Sequence, residues 1–442
     1  MNELPNEYWI FHAVAFVVAL GLLIAALLYR RKKHLIDDLP TSKVQGVFIG
    51  LVELKGTAET ENPLTSELAA ERCVYYTYRV EEHWRRTETE TYRDKDGKTK
   101  TRKKTRSGWK TVRQHTEEQP FYLRDDTGVI RVLPEGAKVE GDTVFSRTVG
   151  QGDPLYYDKG PRTAIADSTY ERRFVEQAVP LHKPLYLVGK ARERDDIVAP
   201  EIAHDPTARM FLISTRTAEQ VSRGYAWASW GLALGGALAL GAGQFFFWQE
   251  HAPATLSPYL SLLPWWLGYI SFWFFGWLWI TYNSLVDLHQ RLRRAWSQVD
   301  VQLKRRSTLI PKIVSVVRGL KEHEGTVQTT LAELRTQAEA TEPGESGPDP
   351  RGCSGKIRAL KEAYPTLKSD EAFLNLQKEL SSTEQRIALA RGYFNEVCTF
   401  YNTRLGIIPD GWIAKLGRFQ PHPLISAEDF ERAPVPVNLA DD

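Results

Sequence analysis

Three long apolar runs divide this chain of 442 residues and constrain its fold more than any other feature. They cover residues 8–29, 225–248 and 265–282, and none contains Asp, Glu, Lys or Arg. A helix of about 20 apolar residues crosses the hydrocarbon core of a bilayer. We therefore predict a membrane protein with three transmembrane helices. The lack of charge inside the runs argues against a transporter, which normally needs such groups within the membrane.

Basic clusters predict the orientation of these spans. Residues 30–33 read Arg-Arg-Lys-Lys after the first run, Arg216 and Arg223 precede the second, and three arginines within 291–294 follow the third. All would lie on one side, which the positive-inside rule makes the cytoplasm. The N-terminus is then outside, and the polar blocks are cytosolic. The predicted domains are an anchor (1–39), a β-rich domain (40–220), a transmembrane hairpin (221–283) and a helical bundle (284–442).

The second run is rich in small residues. Gly231, Gly235 and Gly241 are candidates for a helix-packing face, because small residues let helix backbones approach closely in a membrane. The third run is the nearest candidate partner.

Composition and residue spacing argue against nucleic-acid and metal binding. The net charge of +2 shows no overall nucleic-acid signature. Cys73, Cys353 and Cys398 are widely spaced and cannot form a zinc site with His. Neither 81–83 nor 322–324, both Glu/His triplets, converges on one ion, because neighbouring residues on a strand or helix point apart. We expect no metal and no cofactor.

The first polar block predicts a mostly β domain of short alternating strands, at 44–54, 73–81, 121–124, 129–133, 185–190 and 209–214. Turns are expected at 96–97, as a hairpin tip, and at 126–128. Residues 85–113 form a ribbon with twelve basic and four acidic side chains. Its densest part comprises Lys98, Lys100, Arg102, Lys103, Lys104 and Arg106. Binding to anionic lipid headgroups and a simple solvated arm are both consistent with this pattern, whereas nucleic acid has only Tyr92 and Trp109 as stacking surfaces.

This block resembles a known domain. Its residues are similar to the GIDE-type domain, which lies beside the membrane in mitochondrial ubiquitin ligases. The resemblance covers about 45–220 and rests on Gly56, Pro63–Ser66, Cys73–Tyr76, Val80–Glu82, Trp109, Pro120–Leu123, Asp126, Gly128 and Phe211–Thr215. Those ligases recruit their partner enzyme through a RING domain. Because this sequence has no RING, the resemblance implies the β domain without the ligase activity.

The second polar block predicts long helices at 283–323 and 370–405, packed as an antiparallel bundle. The first helix continues from the third apolar run, and Pro311 either kinks it or starts a new helix. Residues 341–355 read as a mobile loop. The apolar seam of the second helix is spaced alternately by three and four residues. It comprises Phe373, Leu376, Leu380, Thr383, Ile387, Ala390, Phe394, Val397 and Tyr401.

The same block resembles the LemA family over about 280–438. The matching motifs include Trp296, Val299–Arg306, Leu309–Pro311, Tyr364–Pro365, Leu380–Arg391, Tyr393–Asn395, Tyr401–Asn402 and Pro409. The resemblance implies a helical bundle in the inner membrane of a bacterial cell, with no established catalysis. Its polar members are expected to fix the register of the bundle through ion pairs. Together with Trp296 and Pro311, the motif residues expected to be structural are Asp300, Arg305, Arg306, Glu384, Arg386, Arg391, Asn395 and Asn402.

Function follows from this layout. We predict a non-enzymatic membrane scaffold or adaptor that contacts membrane lipids, an unidentified protein partner and further copies of itself, and no nucleic acid. One alternative is a ubiquitin-ligase-like or hydrolytic enzyme that uses Cys73 or His182. Another is a sensor of anionic lipid or envelope stress built on the 85–113 ribbon.

Overall fold

The computed structural model describes residues 7–93, 99–194, 199–251, 258–320 and 371–425. The chain forms two compact units. One is β-rich and spans Thr41–Ala218, against a predicted range of 40–220. The other is helical and combines Met1–Pro40 with Glu219–Asp442. The fold class is therefore α+β, with a β-rich middle and C-terminal helices.

The β unit contains a closed ring of five strands. The strands are β2 (Gly50–Glu59), β6 (Phe121–Arg124), β7 (Val129–Val132), β12 (Pro200–Ala203) and β11 (Pro184–Glu193), and β11 pairs back on β2. Closure removes the open edges that such short strands would otherwise expose. The ring encloses Leu54, Leu123, Leu187 and Ile202, all fully buried. The same sheet is extended by β1 (Thr41–Ser42), β8 (Lys138–Glu140) and β13 (Leu212–Ser214).

Gly56 has a packing role in this ring. A Cβ atom at Gly56 would lie 2.2 Å from the carbonyl oxygen of Arg124 on the neighbouring strand. No side chain fits at that distance, so the close approach of β2 to β6 requires glycine.

A second, five-stranded sheet completes the β unit. It contains β3 (Leu64–Thr65), β4 (Arg72–Arg93), β5 (Thr99–Glu118), β9 (Asp142–Gly150) and β10 (Ser168–Pro180), with the short helix α2 (Pro154–Asp158) nearby. The alternation predicted along 74–80 is confirmed, because Tyr76, Tyr78 and Val80 are buried and pack on Phe174.

The sequence-based strand assignments were incomplete. All six predicted strands overlap observed ones, but residues 44–46 form a single 3-10 turn, and the first strand begins only at Gly50. Strands β1, β3, β8, β9, β10 and β12 were not predicted. The hairpin between β4 and β5 is confirmed by the pairing of Arg93 with Thr99, while its tip at 94–98 lies outside the described residues. The turn at 126–128 is also confirmed, since Asp125 accepts hydrogen bonds from the amides of Thr127 and Gly128.

In the helical unit, the three apolar runs lie in long helices that pack together. They are α1 (Glu7–Asp37), α3 (Ala218–His251) and α4 (Pro258–Leu320). Ala19 and Leu23 of α1, Leu240 of α3 and Tyr269 of α4 share one buried cluster. Among the described residues, one helical segment, Ala13–Asp37, is long and apolar enough to cross a membrane.

The bundle is formed by α4 and α5 (Glu371–Gly406), followed by α6 (Asp410–Leu416). Contacts of Trp296 with Phe394 and of His289 with Tyr401 show that the two long helices run antiparallel. Seven of the nine predicted seam residues are buried, and Leu376 and Ala390 are half-buried. The seven are Phe373, Leu380, Thr383, Ile387, Phe394, Val397 and Tyr401. Helix α4 continues through Pro311 to Leu320, so no new helix starts at that proline. The predicted loop at 341–355 lies outside the described residues.

Candidate functional site

The β4–β5 hairpin projects from its sheet as an arm. The two strands pair from Tyr75 with Glu118 to Arg93 with Thr99, whereas β10 accompanies β4 only as far as Trp84. Residues 85–93 and 99–107 therefore form a free two-stranded ribbon, which we call the arm. Nine extended residues make it roughly 30 Å long.

The register gives the arm two different faces, because directly opposed residues share a face and successive residues alternate. One face carries Arg86 and Glu88 from β4 with Arg102, Lys104 and Arg106 from β5. Lys104 lies 3.5 Å from Glu90, and Arg106 lies 4.0 Å from Glu88. These exposed ion pairs contribute little stability, and the cations stay available to anions in solution or at a surface.

The opposite face is rich in threonine, which the sequence analysis did not recognise. Thr87 pairs with Thr105, and Thr91 pairs with Thr101. Of the six basic residues predicted to bind lipid, Lys103 lies on this face, while Arg102, Lys104 and Arg106 lie on the charged face. Lys98 and the side chain of Lys100 lie outside the described part of the chain.

The base of the arm is held by a buried ion pair. Arg172 on β10 and Glu82 on β4 are both fully buried, and Arg172 Nη2 lies 2.9 Å from Glu82 Oε2. Ser168 donates a 2.6 Å hydrogen bond to the other oxygen of Glu82, and Arg172 Nη1 donates to the backbone carbonyl of Tyr156 at 2.8 Å. The guanidinium also lies over the Tyr156 ring, 3.8 Å from its centroid. Satisfied in this way, the pair fixes α2 and β10 against the start of the arm.

Each residue of the Glu/His triplet at 81–83 contacts a different partner. Glu81 pairs with Arg173, Glu82 with Arg172, and His83 contacts the hydroxyl of Thr169 at 2.9 Å. In the part of the chain that the structure describes, no group of three or more His, Cys, Asp or Glu is placed to hold a metal ion. The 322–324 triplet lies outside that part.

The two residues considered for catalysis, Cys73 and His182, lie in different surroundings. Cys73 is fully buried in the second sheet. Burial, followed by the negative charge of Glu176, raises the pKa of its thiol to about 11, so at neutral pH it is a protonated, weak nucleophile. His182 is exposed on a turn and pairs with Glu59 at 2.8 Å. Burial thus keeps the Cys73 thiol protonated, and it places Cys73 inside the sheet while His182 stands on the surface.

The LemA-like motif residues serve several purposes. Arg305 of α4 pairs with Glu379 of α5 at 2.8 Å, and Arg306 is buried. Trp296 packs on Phe394 at the centre of the bundle. Oδ1 of Asp300 and Nε of Arg386 are buried without a hydrogen-bond partner among the described residues. Glu384 and Arg391 each take part in a further interaction.

Asn395 and Asn402 bind backbone rather than forming ion pairs. Each amide side chain both donates to and accepts from one residue of the segment 421–425. Asn402 exchanges hydrogen bonds of 2.8 and 2.9 Å with His422, and Asn395 exchanges bonds of 3.0 and 2.9 Å with Ile425. Seven helical residues and three extended residues both span about 10 Å. The two asparagines thus clamp an extended segment along α5.

A polar junction, which sequence reasoning missed, joins α1 to the bundle. Arg404 near the end of α5 donates to Asp38, just after α1, and to Asp410 at the start of α6, both at 2.6 Å. Asp38 also accepts from Ser284 of α4 at 2.5 Å. Burial opposes the charge on Arg404, but the two carboxylates outweigh it and raise its pKa, so this arginine stays charged. Four separate elements therefore meet at one guanidinium.

Glycine positions in α3 differ from those predicted to pack. A Cβ atom at Gly236 would lie 2.7 Å from the Tyr269 hydroxyl and 2.9 Å from the Ala19 carbonyl oxygen, and one at Gly243 would lie 2.6 Å from Ala15. Gly241 is in looser contact with Trp266. Gly231 and Gly235 have no described atom of the chain within 4 Å of their Cβ positions. The close contacts within the chain are therefore made by Gly236 and Gly243.

Comparison with known families matches both parts of the chain. The model of the LemA family matches residues 295–439, which include α5, α6 and the clamping asparagines. A GIDE model, described as E3 ubiquitin ligase, matches residues 89–245, which include most of the arm and four of the five ring strands, all but β2. This chain is a LemA family protein with a GIDE-type domain.

Individual relatives of this LemA protein are distant. The magnetosome proteins MamQ 1 and MamQ 2 of Paramagnetospirillum magneticum (strain ATCC 700264 / AMB-1) are each 23% identical to it over 193 residues. The match covers 36% of this chain and 68% of each relative.

Proposed function

We propose that this LemA protein is a non-enzymatic scaffold of the bacterial inner membrane, with three spans and both polar blocks, 40–220 and 284–442, in the cytoplasm. The observation that carries the proposal is the apolar surface of all three long helices. Large side chains exposed on them include Val17 (65%), Trp227 (79%), Leu234 (64%), Phe275 (65%) and Trp279 (72%). A soluble protein rarely exposes so many apolar groups together, and lipid would cover them.

The second and third spans are part of this proposal. Their apolar runs are rich in Trp and Tyr, which favour membrane interfaces, and in Gly, which favours close helix packing. These residues give a span a lower mean hydropathy than Leu or Ile would. The packing of α1 against α3 and α4 supports their placement together. Similarity to magnetosome proteins is consistent with a membrane-associated role, and the junction at Arg404 would transmit the position of α1 to the bundle.

Self-association is the second part of the proposal. Gly231 and Gly235, one turn apart, leave a smooth patch on α3 that a helix of a second copy could approach closely. An assembled scaffold would multiply weak contacts with lipids or a protein partner.

The test is the mass of the full chain purified in mild detergent and after crosslinking in native membranes. We expect an oligomer, and we expect Gly231→Leu with Gly235→Leu to reduce its mass. Gly224→Leu is the matched control, because it is also open but precedes the apolar run. A monomer in both measurements would contradict the scaffold.

The exposed cations of the arm favour a second role, contact with an anionic membrane surface. Each cation near such a surface contributes on the order of 1 kcal/mol. Replacing Arg102, Lys104 and Arg106 by Gln should then reduce salt-sensitive binding of the chain, reconstituted in neutral nanodiscs, to anionic vesicles. Replacing Thr87, Thr91 and Thr105 by Ser is the control on the opposite face. Equal binding by both variants would exclude the charged face.

A further inference from the structure

Three buried nitrogen atoms without an acceptor lie where α1 meets α5. They are Nε of Arg30, Nε2 of His34 and Nη2 of Arg404, and none has a hydrogen-bond partner among the described residues. Arg30 and His34 are four residues apart and so share a face of α1. Arg404 reaches the same place, since its Nη1 lies 3.5 Å from Nδ1 of His34. Buried donors of this kind are costly and rare in native proteins.

All three atoms are donors. An arginine can only donate, so the contact with Arg404 makes Nδ1 of His34 the acceptor and leaves the proton of the neutral ring on Nε2. The site therefore needs acceptors alone. A phosphate group offers only acceptor oxygens and forms strong, charge-assisted bonds with guanidinium groups.

The nearby carboxylates are already engaged. Asp38 accepts from Arg404 and Ser284, and Asp410 accepts from Nε of Arg404. Arg291, which lies within electrostatic range of Asp287, donates to the Asp38 carbonyl at 2.8 Å. None of these hydrogen bonds satisfies Nε of Arg30, Nε2 of His34 or Nη2 of Arg404.

The site also lies at a particular depth. The apolar run of α1 ends at Tyr29, immediately before Arg30. If α1 spans the bilayer, as the proposed function requires, these donors lie at the level of the lipid headgroups. We propose that Arg30, His34 and Arg404 bind the phosphate group of a membrane phospholipid, which links lipid occupancy to the junction that holds α1 on the bundle.

The test measures phospholipid retained by the full chain after extensive washing in mild detergent, by phosphorus assay and native mass spectrometry. Wild type should retain about one phospholipid per chain. Arg30→Met should lower retention about tenfold, as expected for the loss of one charged hydrogen bond. Arg31→Met, at the adjacent exposed position, should match wild type. Arg30→Lys keeps the charge but lacks the Nε–H donor, so its phospholipid retention should lie between those of wild type and Arg30→Met. This variant replaces Arg30→Met in the test if Arg30→Met does not fold.

A parallel titration with inorganic phosphate distinguishes the source of the phosphate group. Binding of free phosphate that Arg30→Met abolishes, without retained lipid, would overturn the proposal in favour of a soluble anion. Equal retention by the Arg30 and Arg31 variants, or no phosphorus in wild type, would also overturn it. Carbonate extraction separates this result from the proposed function: a chain that stays in the membrane pellet but holds no phosphate refutes the lipid site alone, whereas a chain that is released refutes the membrane scaffold.

Discussion

At the scale of single residues, neighbouring charged residues in this protein differ in burial. Arg172 and Arg173 are adjacent on β10 and face Glu82 and Glu81, which are adjacent on β4. The first pair is fully buried and the second is partly exposed. Composition gives no hint of this difference, because it depends on which face of the strand packs on the sheet core. A shift of one residue in register would bring Arg173 opposite Glu82 instead.

The two arginines therefore make a matched test. Arg172→Met leaves the Glu82 carboxylate buried without its cation, which we expect to lower the free energy of unfolding of the β unit by roughly 3–5 kcal/mol. Arg173→Met breaks a partly exposed pair and leaves Glu81 with Arg79 as a second partner, so it should cost only about 1 kcal/mol. Chemical denaturation of the full chain in detergent, followed by hydrogen exchange in β4 and β10, measures both. Similar losses for the two variants would mean that burial does not separate the pairs.

At the scale of elements, the long helices were predictable and several strands were not. The seam of α5 repeats regularly, and its buried residues agree with that repeat. Strand β10 directs Arg172, Phe174, Glu176 and Ala178 inward, so charged residues occupy half of its inward positions in this stretch. Glu176 is buried because its carboxylate accepts backbone hydrogen bonds from residues 67–69. A pattern of apolar alternation cannot reveal a strand whose inward face is charged.

The clamp on α5 leads to a prediction about the segment 421–425. Asn402→Leu removes two hydrogen bonds to His422, each contributing about 1 kcal/mol. The amide of His422 should then exchange with solvent faster, while the amides of α5 stay protected. Asn395→Leu should have the same effect at Ile425. Hydrogen exchange with mass spectrometry measures this, and Thr399→Ala, between them on an exposed part of the helix, is the control. Faster exchange throughout α5 would show that the asparagines support the helix itself.

At the scale of the whole molecule, the chain combines two units whose stabilities rest on different interactions. The β unit has a closed ring and a buried Arg–Glu pair, whereas the helical unit joins residues from the two ends of the sequence. The sequence predicted the apolar runs and the bundle separately. It gave no signal for their connection, because Asp38, Arg404 and Asp410 are ordinary charged residues, two of them separated by 366 positions.

Arg404 therefore provides a test of that connection. Arg404→Met leaves the buried Asp38 and the half-buried Asp410 without their shared cation, and we expect the helical unit to lose about 3 kcal/mol of stability. Arg305→Met breaks the exposed pair with Glu379 in the same bundle and should cost less than about 1 kcal/mol.

Because the partners of Arg404 all belong to the helical unit, amides in β10 and β11 should keep their wild-type exchange rates while those of α5 and α6 exchange faster. Hydrogen exchange on the full chain reads both units at once. Equal acceleration in the β strands would show that the two units unfold as one, so that the junction supports the whole molecule rather than the attachment of α1 to the bundle.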